Sequence, residues 1–236
     1  MELNLLIWNK ITETISDKSF ISFLESYKLN NEIYICGGCI RNIILNKESK
    51  IKDIDLFINF SRNETEQFLK ELSSFGKIQY GQYDSPRLFL KGNENLYIDI
   101  VPFYNFVVSP IEIKTINDLL CSFDFTANAI GIRIDDKRIF DPNNGLNDIY
   151  NRILRAVRLD FPERMVSNEI PLSAVSVFWF RLLHYQNKLG FGFSPETLQW
   201  ILDNKYRYSD IKTFEKYFFH PDISKCFKTL YLNGNK

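Results

Sequence analysis

The feature that most constrains the fold is a strand, a glycine pair and a helix, followed by a second strand that carries two aspartates. Residues 32–36 (EIYIC) form a β-branched and aromatic run that is typical of a buried strand. Gly37 and Gly38 follow, and residues 40–46 (IRNIILN) have helical spacing. Residues 51–60 (IKDIDLFINF) alternate polar and apolar side chains with period two, as a strand does. This stretch therefore predicts a β-sheet with a helix beside it.

The same kinds of signal continue to about residue 140. Residues 17–28 predict a short amphipathic helix, and residues 63–76 predict a helix that starts at Asn63 or Thr65 and ends at Gly76. The pattern predicts an α/β (α+β) fold, a mixed sheet flanked by helices. The remaining predicted elements are the strands KIQYGQY, RLFLKG, LYIDIVPF and AIGIRID, and the helix NDLLCSF.

The composition changes after residue 140. Residues 141–158 begin with turn residues and then read as a helix with basic residues in its last turns, and residues 161–171 read as a loop. Residues 171–236 read as helices throughout, one of them with Ser194 as its cap and Pro195 at its first position. We therefore predict two domains, an α/β domain over 1–145 and an all-helical domain over 146–236.

Composition excludes several classes of protein. Of the 236 residues, 45% are hydrophobic and 25% charged, which excludes disorder as the main state. No apolar run is long enough to span a membrane, and the first ten residues lack a signal peptide, so we expect a cytoplasmic protein. Lysine plus arginine (29) equals aspartate plus glutamate (29), so any contact with nucleic acid must be local.

Cysteine usage leaves alternatives open. We expect the four cysteines to be reduced thiols, and two of them form a C-x-x-C pair that is typical of redox or zinc sites. A zinc site needs two further ligands, for which the chain offers no second cysteine pair and only His184 and His220. The four cysteines are Cys36, Cys39, Cys121 and Cys226.

Three acidic residues on apolar strands are candidate metal ligands. Asp53 and Asp55 are two residues apart on one predicted strand, so their side chains share a face and repel unless a divalent cation lies between them. A solvated strand face is the alternative. Asp99, in LYIDIVPF, is a third acid on another apolar strand. Three such carboxylates on adjacent strands can hold two Mg²⁺ ions, which activate an attacking hydroxyl and stabilise a pyrophosphate leaving group.

The glycine pair is a candidate phosphate site. Between a strand and a helix, Gly37 and Gly38 let backbone N–H groups approach phosphate oxygens, and the helix N-terminus favours an anion. Arg41, in the first turn, can reach the same phosphates. A simple tight turn is the alternative.

Several motifs, in order, resemble the poly(A) polymerase and tRNA CCA-adding enzyme head-domain family, among the nucleotidyltransferases related to DNA polymerase β. The family's opening motif appears as GGCIRN followed by DID, and its R-R-D-F-T-x-N-A motif appears as SFDFTANA, residues 122–129. Its D-P-x-x-G segment appears as DPNNGLNDIYNRILRAVR, and its neck signature as FRLLHYQNKLGFGFSPETLQWI. The resemblance covers about residues 32–202.

The resemblance implies a role for each matching residue. It makes Asp53, Asp55 and Asp99 catalytic metal ligands for two Mg²⁺ ions, and it makes an NTP and an RNA acceptor the partners. Arg155 and Arg158 fall near the head–neck junction, where they meet nucleotide or acceptor phosphates or, alternatively, lie on a solvated helix face. The implied nucleotide-binding residues are Gly37, Gly38, Arg41, Asp124, Asn128, Arg155, Arg158 and Arg181.

The chain also departs from the family pattern. Asn42 replaces the aspartate that follows the arginine of the opening motif, and Ser122 and Phe123 replace the paired arginines of R-R-D. The charged neck motif E-D-x-x-R, which selects ATP and CTP, falls on Ala174, Val175 and Phe178, and only Arg181 survives nearby. Full-length relatives continue into body and tail domains that hold the tRNA, and we expect this chain to act without them. We therefore expect an intact metal site, with nucleotide choice and the usual grip on tRNA altered or absent.

These observations favour a metal-dependent enzyme that transfers a nucleoside monophosphate from an NTP to an acceptor hydroxyl, and the resemblance favours an RNA 3′ end as that acceptor. One alternative is a nucleotide- or RNA-binding module that has lost turnover. Others are a transferase acting on a small molecule or a protein hydroxyl, and a subunit whose partner chain, or a second copy of itself, supplies the missing acceptor grip.

Overall fold

The computed structural model describes residues 2–46, 51–81, 85–93, 95–106, 111–167, 169–224 and 227–228. The chain divides into two compact units, and each unit is made of two separate segments of the sequence. The first unit comprises Met1–Cys121 and Asn128–Asn143, and the second comprises Ser122–Ala127 and Asn144–Lys236. The second unit thus begins two residues before the predicted boundary and also includes 122–127, which the sequence analysis placed in the first domain. Cys226 and most of the predicted last helix lie outside the described residues.

A mixed sheet forms the centre of the first unit, and its described strands lie in the order β3-β4-β5-β2-β1-β6-β7. Neighbouring strands are antiparallel except for the central pair β2 and β5, which is parallel. The predicted mixed α/β fold is therefore confirmed. The strands are β1 (Ile33–Cys36), β2 (Asp53–Ile58), β3 (Gly76–Tyr80), β4 (Pro86–Leu90), β5 (Tyr97–Pro102), β6 (Gly131–Arg133) and β7 (Ile139–Phe140).

The two faces of this sheet differ in chemistry. Strand residues alternate between faces, and one face is made of fully buried Ile and Leu side chains, among them Ile35, Leu56 and Ile100. The opposite face carries Asp53 and Asp55, together with aromatic side chains further along the same strands. Burial of the aliphatic face determines which way the acids point, because a slip of one residue would bury both carboxylates.

Five helices accompany the sheet in the described part of the first unit. The first, α1, was not predicted, although Ile7, Ile11 and Ile15 form a buried stripe at a spacing of four residues. The second, α2, is capped by Asp17, whose carboxylate accepts from the N–H groups of Ser19 (2.9 Å) and Phe20 (3.1 Å). The helices are α1 (Leu3–Ile15), α2 (Lys18–Ser26), α3 (Gly38–Ile44), α4 (Arg62–Leu72) and α5 (Ile116–Leu120).

The predicted ends of α4 were wrong. Its cap is Ser61, whose hydroxyl accepts from the N–H of Glu64 (3.3 Å), while the Glu64 carboxylate accepts from the N–H of Ser61 (2.9 Å). This reciprocal capping box is more favourable than a cap at Asn63 or Thr65. The helix ends before Ser73, and Gly76 is the first residue of β3.

The second unit is mainly helical but contains one pair of two-residue strands in its described part. One of its helix ends is as predicted, since Ser194 caps the helix that begins at Pro195. Gly190, with φ 70°, ends the longest helix of the unit. The elements are α6 (Gly145–Tyr150), β8 (Ile153–Leu154), α7 (Ala174–Leu189), β9 (Gly192–Phe193), α8 (Pro195–Asp203) and α9 (Ile211–Tyr217).

The prediction of one helix up to residue 158 was wrong. The helix α6 stops at Tyr150, because Arg152 adopts a left-handed conformation with φ 55°. Its carbonyl then accepts from the N–H of Gly192 (2.9 Å), and β8 pairs in parallel with β9. Arg155 and Arg158 therefore do not lie on a helix face. Among the helices in the described ranges, none has the length and apolar character needed to cross a membrane.

Candidate active site

The three acidic residues predicted as metal ligands lie on one face of adjacent strands. Asp55 on β2 is in register with Asp99 on β5, and Asp53 is in register with Tyr97. Because β1 is antiparallel to β2, Cys36, the last residue of β1, is opposite Asp55. The Gly37 turn therefore leaves β1 beside the acids. The sequence predicted that Asp53 and Asp55 share a face, and the sheet register places Asp99 beside them.

An arginine that the sequence analysis did not single out lies beside Asp99 on the next strand, β4. Arg87 on β4 is in register with Asp99, and its Nε and Nη2 donate to the two carboxylate oxygens of Asp99 at 2.6 and 3.0 Å. The guanidinium also lies 4.0 Å from the centre of the Tyr97 ring. Hydrogen bonding to Asp99 raises the pKa of Arg87. Asp99 is thus held in a two-pronged ion pair rather than left facing Asp55.

The donor set suits a hard divalent cation. Carboxylate oxygens are the ligands that Mg²⁺ prefers, and Asp53 and Asp55 present two of them from one strand face. Within the described residues, however, no three acidic, histidine or cysteine side chains converge into a ready-made metal-binding group. Asp53 and Asp55 are therefore the first candidates for metal ligands, and Asp99 is a neighbour that pairs with Arg87.

Gly37 and Gly38 are each suited to their position for a different geometric reason. Gly37 adopts φ 90° and ψ −147°, a conformation that side chains rarely permit, and its N–H donates to the carbonyl of Ile130 (3.1 Å). A Cβ at Gly38 would lie 3.2 Å from Nη2 of Arg41. The first glycine therefore makes the turn from strand to helix, and the second leaves room for the guanidinium.

Arg41 is buried and joins two of the predicted nucleotide residues. It is 5% exposed, and its Nη1 donates to Oδ1 of Asn128, which is itself buried. Its Nε and Nη2 donate to Oδ1 of Asn42 at 3.2 and 3.0 Å. Asn42, one of the departures from the family pattern, thus accepts hydrogen bonds where the family's aspartate would offer a charge. The structure brings Arg41 and Asn128 together across 87 residues of sequence.

Two more predicted residues pair with each other in the second unit. Arg181 on α7 donates through Nε (3.0 Å) and Nη2 (2.6 Å) to the same oxygen of Asp124. The other carboxylate oxygen accepts from the N–H of Phe125 (2.9 Å). The SFDFTANA segment therefore divides between the units, since Asp124 belongs to the second and Asn128 to the first.

The two remaining predicted arginines are in ion pairs within the second unit. Nε of Arg155 donates to the buried carboxylate of Asp148 (3.0 Å), which also accepts from the hydroxyl of Thr126 (2.7 Å). Arg158 pairs locally with Asp160 at 2.6 and 2.7 Å. The role of Arg155 and Arg158 toward phosphates stays a prediction.

Two of the three residues aligned with the family's charged neck motif are packed in the core, whereas the third, Ala174, is partly exposed. Val175 and Phe178 are each 5% exposed. The Phe178 ring lies 4.8 Å from that of Phe161 and 5.2 Å from that of Trp200. These positions offer no hydrogen bond to a base.

The C-x-x-C thiols are buried beside the acids. Cys36 and Cys39 are 0% and 5% exposed, and Sγ of Cys39 lies 3.9 Å from the carbonyl oxygen of Cys36. Burial raises the pKa of both thiols, and the nearby Asp55 raises that of Cys39 further. A thiol with a raised pKa is a poor nucleophile and a poor metal ligand. This geometry favours a packing role for the pair.

Sequence reasoning missed Arg87 and Asp148, for different reasons. Arg87 is a single charged residue on the apolar strand RLFL, and this isolation could have marked it as a candidate site residue. Its partner could not be predicted, because it depends on the register between β4 and β5. Asp148 was quoted only as part of a motif. Its burial to 2% exposure, and its contact with Thr126 from another motif, are visible only in the folded chain.

Comparison with known proteins agrees with this architecture. A family model described as the poly A polymerase head domain matches residues 33–155, more than half of the chain. A curated CCA-adding enzyme from Actinobacillus succinogenes is 29% identical over 175 residues, covering 71% of this chain and 39% of the relative. The chain spans between 31% and 49% of the lengths of the curated relatives it matches.

Solved structures show the same fold at lower identity. A CCA-adding enzyme in complex with ATP superposes with a TM-score of 0.66 at 22% identity, covering 92% of this chain and 50% of that one. The Thermotoga maritima CCA-adding enzyme, complexed with tRNA, superposes with a TM-score of 0.63 at 19% identity, covering 92% and 52%. These similarities establish the fold of the chain.

Proposed function

Because the chain belongs to the poly A polymerase head domain family, we propose that it is a nucleotidyltransferase. It transfers a nucleoside monophosphate from an NTP to an acceptor hydroxyl and releases pyrophosphate. The observation that carries this proposal is the shared face of Asp53, Asp55 and Asp99 on adjacent strands, beside the turn at Gly37. Asp53 and Asp55 repel each other, and this cost is understandable if they bind a divalent cation that in turn attracts the phosphates.

In this proposal Asp53 and Asp55 would hold one Mg²⁺ ion. A second Mg²⁺ ion would bind when Asp99 also serves as a ligand. The metal supplies positive charge for the attacking hydroxyl and for the departing pyrophosphate. The acidic face of β2 and β5 would hold the metal beside the turn at Gly37, where we propose that the triphosphate binds. The apolar residues that alternate with the acids, such as Ile54 and Leu56, hold the strand rigid beneath them.

The triphosphate is assigned to the turn beside the acids. Gly37 and Gly38 carry no Cβ, so a phosphate can come close to the backbone there. Arg41 supplies positive charge directly beneath the turn, since its guanidinium fills the space that a side chain at 38 would occupy. Asn128, hydrogen-bonded to Arg41, is assigned to the same nucleotide.

The second unit is assigned to the rest of the nucleotide and to the acceptor. We propose that the two units are the head and neck domains, that Asp124 and Arg181 act as one element toward the nucleotide, and that Arg155 and Arg158 meet phosphates. An RNA 3′ end is the favoured acceptor, because the A. succinogenes relative is a CCA-adding enzyme and the T. maritima neighbour is complexed with tRNA. We also propose a cytoplasmic location, in keeping with reduced cysteines.

The direct test is nucleotide transfer by the purified chain. Each of the four α-³²P-labelled NTPs is incubated with Mg²⁺ and either total RNA or tRNA lacking its 3′ end, and labelled RNA is resolved on a denaturing gel. We expect label in RNA, released pyrophosphate, and loss of both on chelation of Mg²⁺. An Asp55→Asn variant keeps the shape of the side chain and should be inactive. Nucleotide binding without transfer to RNA, small-molecule or protein hydroxyls would instead support a binding module.

A further inference from the structure

The ion pair between Arg87 and Asp99 is unusual because of where it lies. Arg87, Asp99 and Asp55 form one row across β4, β5 and β2, on the face that also carries Asp53. The guanidinium is therefore a positive group that the fold itself places on the acidic face. Its two hydrogen bonds, at 2.6 and 3.0 Å, engage both carboxylate oxygens of Asp99.

The position of Arg87 is secured by more than the ion pair. Its neighbours on β4, Leu88 and Leu90, are 0% and 2% exposed, which determines the face that Arg87 takes. Its guanidinium also lies on the Tyr97 ring at 4.0 Å. The side chain keeps 34% of its surface exposed, against 18% for Asp99, so the pair can exchange partners without unfolding.

A carboxylate cannot satisfy a guanidinium and a divalent cation equally. Both cations are drawn to the same oxygens, and they repel each other at contact distance. A metal that takes Asp99 as a ligand must therefore weaken the pair with Arg87. Without metal, Arg87 offsets one of the three negative charges of Asp53, Asp55 and Asp99.

We propose that Arg87 is a positioning residue that acts through Asp99 and sets the affinity of the site for divalent metal. It holds Asp99 as a counter-ion before metal binds, and it yields the carboxylate when the metal arrives. The inference rests on the proposed function, because it takes Asp53, Asp55 and Asp99 as the metal ligands. It adds that metal binding competes with a specific ion pair of this chain.

Binding of Mn²⁺ to the full chain, measured by isothermal titration calorimetry, tests the proposal without relying on activity. Arg87→Met keeps most of the stem volume and removes the charge. We expect it to bind Mn²⁺ about tenfold more tightly than the wild type, the effect of losing one competing charge-assisted hydrogen bond. Arg87→Lys keeps the charge but loses the two-pronged geometry, and its affinity should fall between the two.

Two controls separate competition from general structural damage. Arg133 on β6 is a matched residue, since it pairs with Asp135 (2.7 Å) and Asp136 (2.6 Å) away from the acids, and Arg133→Met should leave the Mn²⁺ affinity unchanged. In an Asp99→Asn background, Arg87→Met should no longer tighten binding, because the competing pair is already gone. A purely structural role predicts weaker binding together with a lower melting temperature.

The outcomes distinguish this inference from the proposed function. If the wild type binds Mn²⁺ and neither Arg87 variant binds it more tightly, the inference is overturned and the metal site stands. If neither the wild type nor the variants bind Mn²⁺, the proposed metal site fails and the inference fails with it. If Arg87→Met does not fold, the Arg87→Lys comparison decides.

Discussion

Arg181 and Asp124 meet through two hydrogen bonds to a single carboxylate oxygen, at 3.0 and 2.6 Å, across 57 residues of sequence. The pair is half-buried, with Arg181 35% exposed and Asp124 13% exposed. In the sequence analysis, Arg181 is the one charged residue retained near the aligned neck motif, and Asp124 belongs to another motif. The two therefore behave as one element, whose contribution can be measured.

The first prediction concerns that element. In a double-mutant cycle of Asp124→Ala and Arg181→Ala, we expect a coupling energy of about 1 kcal/mol in the free energy of unfolding, at the upper end for a partly exposed ion pair. Arg158 and Asp160 form a matched control, because that pair is more exposed on its acidic side and should couple less. Chemical denaturation measures both cycles. Equal coupling energies in the two cycles would contradict the view that Asp124 and Arg181 act as one element.

The second prediction concerns the acids. Asp53→Ala and Asp55→Ala should each lower nucleotide transfer on the order of a thousandfold or more, because metal ions supply several kcal/mol of charge stabilisation. Neither change should lower the melting temperature without metal, since removing one carboxylate relieves repulsion. Glu66→Ala, an exposed acid on α4, is the control and should keep full activity. Near-normal turnover in either aspartate variant would show that the metal ligands lie elsewhere.

The third prediction concerns Arg41. Arg41→Ala should weaken NTP binding by about 1.5–3 kcal/mol through loss of a charge-assisted hydrogen bond. The loss should be the same for all four NTPs, because a triphosphate contact carries no information about the base. The variant should also be less stable, because Oδ1 of the buried Asn128 loses a donor. Equilibrium binding of each NTP measures the first effect, and a loss confined to one nucleotide would mean that Arg41 reads the base.

The fourth prediction concerns base selection. Val175 and Phe178, which the sequence analysis aligns with the family's charged neck motif, are packed in the core, so their side chains cannot select a base by hydrogen bonding. We expect that this chain alone does not add an ordered C-C-A sequence to a tRNA lacking its 3′ end. Competition among the four NTPs, followed by sequencing of the products, measures this. Faithful addition of C, C and A would show that base selection uses other residues or that the neck alignment is out of register.

The fifth prediction concerns the thiols. Burial raises the pKa of Cys36 and Cys39, so at neutral pH neither should react with iodoacetamide in the native protein. Both should react fully in denaturant, and mass spectrometry of the digested protein locates the label. Rapid modification under native conditions, or a disulfide between the two, would favour a redox role.

Much of the fold was predictable because its signals are local. Period-two alternation identified β2 and placed Asp53 and Asp55 on one face, and the apolar run before Gly37 identified β1. The cap and proline at Ser194 and Pro195 identified α8. Each signal depends on side chains a few residues apart, so one strand or one helical turn is enough to express it.

Not every missed feature has a local cause. The end of α6 at Tyr150 depends on Arg152, whose left-handed conformation is accompanied by a hydrogen bond from Gly192 in a distant part of the chain. The cap at Ser61 was a local signal that could have been found, since serine three residues before glutamate is a capping box.

The sequence by itself determined the family, the mixed α/β class and the identity of the three acids. Those follow from residue types and short spacings. Tertiary structure alone decided that Asp99 lies in register with Asp55 and that Arg87 holds Asp99, because the register between β2, β5 and β4 depends on burying Ile and Leu side chains from all three strands at once. It likewise decided that Arg41 meets Asn128 and that Arg181 meets Asp124, since hydrogen bonds across 87 and 57 residues form only when separate elements pack together.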